Sequence, residues 1–353
     1  MRPEILAPVG SMEALNAALA AGCDAVYFGL PSFGARAFAN NFDLETTKEV
    51  IERCHLCGVK VYITMNTILY EDEMEDAYNM AKMVHLFGVD ALIIQDLGFI
   101  HLLHHRLPNL VLHASTQLSI SNPYQIEQLK KLGVKRVVLA RECTKEEVQA
   151  CVDTGIEVEV FVHGALCICY SGQCYFSSVH YGRSGNRGMC AQPCRMKYSL
   201  YEDGNKVDTH GDYVLSPKDL SLIDEVNTLA DMGVCSLKIE GRMKSAPYVY
   251  ESVSQVKKVL ENMERSHLDE QNLRVTFNRE YTVGHMYRAS GKELMNSKTC
   301  NHQGIEIGRV VKVNKNKICI QLSQDLHQND GIRFEKENLG CHVNFMYDKK
   351  QKL

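Results

Sequence analysis

No window of this 353-residue chain approaches the roughly eighteen unbroken apolar residues that a membrane-spanning helix needs. The amino-terminal stretch MRPEILAPVGSMEALNAALAAG lacks the basic start and continuous apolar segment of a secretory signal. A cytoplasmic location, with no membrane partner, is therefore expected. In that reducing compartment fourteen cysteines are not expected to build a disulfide scaffold, which leaves metal binding, catalysis or burial. Excess positive charge is missing too. The net charge of −4 argues against a broadly basic nucleic-acid coat, though not against a local footprint. H-E-x-x-H, G-x-S-x-G and G-x-x-x-x-G-K-[ST] are all absent, so zinc-protease, serine-hydrolase and P-loop readings lack their usual signatures. Internal repeats and low-complexity tracts are absent as well.

What is present is an alternation of short apolar runs with amphipathic helical runs through the first 260 residues. The strand candidates are EILAP (4–8), DAVYFGL (24–30), VKVYITMN (59–66), VDALIIQD (89–96), LVLHAST (110–116), KRVVLAR (135–141), IEVEVFVH (156–163) and CSLKIEGR (235–242). Nearly all are continuous rather than alternating, which suits parallel strands buried on both faces. The intervening segments carry helix punctuation, such as Gly22 closing MEALNAALAAG and Gly88 closing DEMEDAYNMAKMVHLFG. Eight strands each followed by a helix predict an α/β fold, a (β/α)8 TIM-like barrel over residues 1–262. No G-x-G-x-x-G follows the first strand to favour an open doubly wound sheet. The rhythm breaks after the seventh strand, where an insertion over 164–217 precedes the expected helix KDLSLIDEVNTLADMG. In such a barrel the functional face lies at the carboxyl ends of the strands, where this insertion emerges. The polar run ENMERSHLDEQN (261–272) reads as a linker. Beyond it LRVTFNREYT, GIEIGRVVKV, KICIQL and GIRFE read as strands of a small C-terminal β module over 263–353, and the tail stops abruptly at YDKKQKL.

The insertion holds HGALCICYSGQC and then CAQPC. Cys167, Cys174, Cys190 and Cys194 give C-x6-C-x15-C-x3-C, with Gly182, Gly185, Gly188 and Pro193 allowing the chain to fold back. From spacing, three readings stay open: an iron–sulfur cluster, a zinc site with unusually loose spacing, or buried and reactive free cysteines. Cys169 is read as a bystander. Cys54 and Cys57, on a helix, are read as buried, and Cys23, Cys143, Cys151 and Cys235 as small core residues. Within GRSGNRGMCAQPCRMK, Arg183, Arg187, Arg195 and Lys197 form a basic stretch without an acid, a candidate RNA contact set. Polar residues gather at the strand ends: Asn66, Gln95, Asp96, His113, Ser115, Gln117, Arg141, Glu142, His163, Lys238, Glu240 and Arg242. Of these, Asn66, His113, Gln117, Arg141, His163, Lys238, Glu240 and Arg242 are the catalytic candidates. They are expected to line one charged mouth whose cations suit a carboxylate or phosphate.

The run EVFVHGALCICYSGQCYFSS (Glu159 to Ser178), followed by GRSGNRGMCAQPCRMKY, resembles the collagenase-like peptidases of family U32. Their signature E-x-F-x-x-G-[SA]-[LIVM]-C-x6-C is met by Glu159, Phe161, Gly164, Ala165, Leu166, Cys167 and Cys174. LAPVGSMEAL, DAVYFGL, HASTQLSISN, LARE and SLKIEGRMKS extend the resemblance over nearly all of residues 1–260, and VTFNREYTVGHMY with GIEIGRVVKV looks like the family's C-terminal module. The resemblance implies oxygen-independent hydroxylation. One branch makes 5-hydroxycytidine in 23S ribosomal RNA and another 5-hydroxyuridine at the tRNA wobble position, both linked to prephenate, while a further branch acts on the ubiquinone ring. It also implies a 4Fe-4S cluster on four cysteines matched by Cys167, Cys174, Cys190 and Cys194, with prephenate as co-substrate, RNA as partner and an unnamed electron donor. In this reading the cluster sits over the barrel mouth, the arginine-bearing loop meets phosphate, and a base is splayed into the pocket. The alternatives are a peptidase, for which Cys174 and His163 would have to pair, and a non-catalytic cluster- or RNA-binding accessory.

Overall fold

Eight of the apolar runs form the strands of a closed barrel in the computed structural model, which describes residues 2–35, 41–315, 317–335 and 339–344. They begin with β1 (Glu4–Pro8), β2 (Ala25–Gly29), β3 (Lys60–Met65), β4 (Ala91–Ile94), β5 (Leu112–Ala114), β6 (Arg136–Val138) and β7 (Glu157–Ala165). The insertion then contributes β8 (Tyr201–Glu202), β9 (Asn205–Lys206) and β10 (Asp219–Ser221), so the eighth barrel strand is β11 (Ser236–Ile239). Pairing is parallel from β1 through β7, and β11 pairs in parallel with both β7 and β1. The expected barrel is therefore the observed fold. Strands such as β2 and β4 are buried along their whole length, because barrel interior and helical layer cover both faces.

The helices are α1 (Met12–Ala21), α2 (Leu44–Leu56), α3 (Met74–Leu86), α4 (Leu97–Arg106), α5 (Pro123–Lys131), α6 (Lys145–Val152), α7 (Phe176–Tyr181), α8 (Val226–Asp231), α9 (Ala246–Leu260) and α10 (His267–Thr276). Ser11, Asp43, Asp96, Asn122 and Thr144 each accept a first-turn backbone N–H. These caps start a helix just beyond a strand's carboxyl end, and so hold the strand-to-helix loops on one face. Gly22 ends α1 at φ +80°, as its placement predicts. One core runs from β1 through α10 to Met286 and includes Phe28, Ile63, Leu92, Phe99 and Tyr248. Among the described residues no helix is long and apolar enough to cross a membrane.

Three expectations are corrected. KDLSLIDEVNTLADMG does not begin as a helix: Asp219–Ser221 is β10, antiparallel to Ala165, Gly164 and His163. Long β7 leaves these backbone groups without a barrel partner, and β10 satisfies them. The supposed linker and first module strand contain α10, started by a Ser266–Asp269 capping box and tied to α9 by Lys258–Asp269 at 2.6 Å. With a single fully buried side chain, Leu273, its apolar signal is weak. Only β12 (Tyr281–Thr282) of LRVTFNREYT is a strand, and it joins β10. The first compact unit therefore runs to Gln303 rather than ending at residue 262. The second unit, Gly304–Leu353, holds two antiparallel hairpins: β13 (Gly308–Asn314) with β14 (Lys317–Leu322), and β15 (Gly331–Phe334) with β16 (Leu339–His342).

Candidate active site

The insertion after β7 is fastened to three strand-to-helix loops on the carboxyl face of the barrel. Ser171 donates from N and Oγ to the Glu142 carboxylate at 3.1 and 3.2 Å, and its Oγ accepts from Arg141 N at 3.2 Å. Ser119 Oγ donates to the Ser171 carbonyl and accepts from Gln173 Nε2. Arg187 forks onto Glu73 at 2.5 and 3.1 Å and lies over Tyr70 at 4.3 Å. Gly172, at φ +76°, lies so close to Gln117 that a Cβ would stand 2.1 Å from its carbonyl oxygen. Gly172→Ala is accordingly expected to cost about 1–3 kcal/mol and to lift the loop from the barrel. Faster proteolytic cleavage between residues 167 and 194 is the readout, and cleavage at the wild-type rate would refute it.

All four predicted cysteines lie on this fastened segment. Cys190 Cβ and Sγ and the Cys174 carbonyl border the same glycine, Gly185. Burial first, and then the thiols of Cys167, Cys190 and Cys174, push Cys194 up to about 11 against the opposing charge of Arg195. Burial likewise raises Cys174, with Cys169 and Cys167 adding to it. Four cysteines on one fastened segment are a donor set that, once deprotonated, suits a cationic iron–sulfur core, so the residues fit such a group chemically. Among the described residues no three His, Cys, Asp or Glu side chains converge on the position of a single metal ion. Cys169, set aside as a bystander, bonds the Gln173 carbonyl through Sγ at 3.3 Å and also interacts with Cys174. Cys23, Cys54, Cys143 and Cys151 are buried as expected, whereas Cys57 is exposed and Cys235 is half-buried.

Below the insertion the strand ends bring together part of the expected mouth. Asn66 Nδ2 donates to Ser115 Oγ at 3.3 Å, and its Oδ1 accepts from Ala35 N at 3.0 Å. Gln95 Nε2 donates to the Gln117 carbonyl at 3.2 Å, while its buried Oε1 has no partner. Arg141 donates to Glu240 at 2.9 Å and lies over the Phe161 ring at 3.9 Å, with its Nε buried and without an acceptor. Arg242 donates to Thr64 Oγ1 at 3.0 Å in the space that Gly29 leaves by lacking a Cβ. A guanidinium with an unused donor and an amide with an unused acceptor, at the carboxyl ends of β6 and β4, can each bind a planar polar group or a carboxylate.

His113 and Lys238 are corrected: neither belongs to the mouth. Lys238 Nζ contacts Glu159 at 2.8 Å, and Arg136 bridges Glu159 at 3.3 Å and Glu4 at 2.8 Å. Arg136 and Glu4 open their strands, so this network fills the amino-terminal half of the barrel. Burial opposes ionisation of Glu159, but Lys238 and Arg136 outweigh it and hold the carboxyl at about 2. His113 packs edge-on against Tyr62, and burial, aided by Arg136, takes it down to about 3. His163 is corrected as well. The register slips between Lys238 and Ile239, and the imidazole stacks on Tyr248 and meets Tyr281 edge-on. Burial lowers it to about 4.

Both histidines thus stay neutral in the folded chain where the unfolded chain takes up protons. Their effect on stability is absent above the ordinary value near 6.5 and turns unfavourable as pH falls through 6.5 toward 4 and 3. Each is expected to remove on the order of 3 kcal/mol by pH 4. Urea midpoints measured from pH 7.5 down to pH 5 should fall, and flat midpoints would contradict this.

The basic stretch divides. Lys197 is exposed, ion-paired to Asp212 at 3.2 Å, and Arg183 is exposed with Nε on the Met189 carbonyl. Arg187 is spent on Glu73. Arg195 is buried, its guanidinium on Ser216 Oγ, the Pro217 carbonyl and the Leu166 carbonyl. It closes the neck of the insertion, so RNA contact is corrected for Arg195, and Arg187 meets Glu73 instead of a free surface. Sequence reasoning missed Arg136, Thr64 and the buried Arg279–Asp219 pair at 2.5 Å. A signal existed for the first: Glu159, an acid between the apolar Val158 and Val160 in the buried part of β7, demands a buried cation.

Residues 10–296 match the family model described as Peptidase family U32. The 23S rRNA 5-hydroxycytidine synthase of Escherichia coli is 36% identical, over 97% of this chain and 54% of its own length. The tRNA hydroxylation protein P1 of Bacillus subtilis is 40% identical, over 74% of this chain and 63% of its own. A collagenase of Porphyromonas gingivalis is 35% identical, over 80% of this chain and 73% of its own. The chain therefore spans less than two thirds of the length of the first two.

Proposed function

The chain belongs to peptidase family U32, and on that premise we propose that it hydroxylates an RNA base, a 23S rRNA cytidine or a tRNA wobble uridine. One observation carries the proposal. Ser171 and Gly172, between Cys167 and Cys174, rest directly on Arg141, Glu142 and Gln117, which joins the thiol-bearing insertion to the barrel mouth. Relatives named for rRNA and tRNA hydroxylation supply the substrate class.

In this reading a 4Fe-4S cluster on Cys167, Cys174, Cys190 and Cys194 supplies one-electron chemistry without molecular oxygen. The chain's own residues bind and orient. Arg141, braced by Glu240 and Phe161, keeps Nε for an incoming acceptor, and Gln95 keeps Oε1 for a donor. Arg242 adds a second cation, so a dicarboxylate such as prephenate is the proposed co-substrate. Arg183 and Lys197 remain as the exposed cations for phosphate. Glu159 and Lys238 form the rigid floor, and Phe161, with Lys238 at 5.5 Å and Arg141 at 3.9 Å, connects floor to mouth.

A peptidase reading needs a nucleophile beside a base. The Cys174 thiol interacts with Cys169, Cys167 and the Phe176 backbone, while His163 is enclosed by Tyr248 and Tyr281. Mass spectrometry of rRNA and tRNA nucleosides, with and without the gene, decides. Loss of one hydroxylated pyrimidine on deletion, restored by this chain, is the expected result. Unchanged nucleosides would refute the proposal, and restoration by a chain lacking all four cysteines would refute the cluster's part in it.

A further inference from the structure

Arg195 is 8% exposed, yet all three of its acceptors are uncharged: Ser216 Oγ at 2.7 Å, the Leu166 carbonyl at 3.2 Å and the Pro217 carbonyl. A buried guanidinium is normally paired, because desolvating an uncompensated charge costs several kcal/mol. Among the described residues no carboxylate forms an ion pair with it. The acid in its surroundings, Asp219, is held at two points by Arg279, at 2.5 and 3.2 Å. Lys244, packed on the Phe277 ring, also lacks a carboxylate ion-pair partner among the described residues; burial, with Arg279 and Arg195 adding to it, lowers it to about 7, and below that pH it adds to the same positive field. Besides Asp219, the groups near Arg195 that would carry the opposite sign once deprotonated are the thiols of Cys194, its chain neighbour, and Cys167, which follows its acceptor Leu166.

We propose that Arg195, supported by Lys244, is the buried counter-charge of the four-cysteine site, holding an anionic thiolate-bound cluster in place and setting its reduction potential. The inference rests on the cluster reading above and goes beyond it by assigning the charge that balances the cluster. Four thiolates make such an assembly anionic, and one-electron reduction adds a further negative charge. A fixed cation beside it therefore favours both retention and the reduced form. The residue also spans the neck of the insertion, from Leu166 to Pro217, so its placement is rigid.

The test uses the full chain, reconstituted anaerobically with iron and sulfide and titrated with dithionite while visible absorbance and electron spin resonance are followed. Arg195→Gln, which retains hydrogen-bonding capacity but not charge, is expected to lower the midpoint potential. It should also release iron to a chelator roughly tenfold faster or more. Arg195→Lys should stay near wild type, and Lys244→Gln, away from the insertion's neck, should lower the potential by less. A purely structural staple predicts otherwise: Gln and Lys at position 195 would lose iron alike and Lys244→Gln would leave the potential unmoved, and that pattern overturns the inference. A loaded wild type whose potential and iron release match those of Arg195→Gln also overturns it and leaves the cluster reading standing. A wild type that takes up no iron or sulfide overturns both.

Discussion

Replacing Glu159 with alanine is expected to destabilise the barrel by about 3–5 kcal/mol, the cost of leaving buried charges uncompensated. Glu159 is fully buried, and its two oxygens meet Lys238 at 2.8 Å and Arg136 at 3.3 Å. The substitution opens a cavity and strands two cations. Lys238 has Glu159 as its ion-pair partner, whereas Arg136 keeps Glu4 at 2.8 Å and Glu157 at 2.8 Å, so Lys238 bears most of the penalty. The paired replacement Glu159→Leu with Lys238→Met should therefore recover much of the loss, since well-packed apolar residues often match a buried ion pair. Urea denaturation of the two variants checks this. A single variant within about 1 kcal/mol of wild type would show that the network relaxes around its missing acid.

Arg141→Lys is expected to cut RNA hydroxylation roughly a hundredfold or more, the scale seen when one positioned donor is removed from a reacting centre. The lysine keeps the charge but not the planar fork that pairs with Glu240, stacks on Phe161 and leaves Nε free at the same time. Iron content and melting temperature should stay near wild type, because the contact from Arg141 to the insertion is made by its backbone N–H on Ser171. Nucleoside mass spectrometry on RNA from cells carrying the variant gives the readout. Wild-type hydroxylation would remove Arg141 from the site, and loss of iron together with activity would make its role structural.

The barrel and the cysteine insertion were legible in the sequence because their signals are local. Apolar runs of strand length, caps at Ser11 and Asp96, and a glycine at position 22 each act over a few residues. The C-x6-C-x15-C-x3-C spacing is local too, and it lies where the strand count predicts the functional face. α10 was missed for the converse reason: it carries little apolar periodicity, and its place is set by packing on α9.

By itself, then, the sequence determined the eight-stranded barrel, the strand after which the chain departs from it, and the set of cysteines carried by that departure. Only the tertiary structure decided how the charged and aromatic residues divide. It drew Lys238 and His113 inward to Glu159 and turned His163 toward Tyr248 through a slip in strand register. It also spent Arg187 on Glu73 and buried Arg195 at the neck of the insertion. A strand's side chains change face with a shift of one residue. The partner of a charge is chosen across the fold, as Arg136 and Glu4 are, 132 residues apart. Neither choice leaves a pattern in the neighbouring sequence.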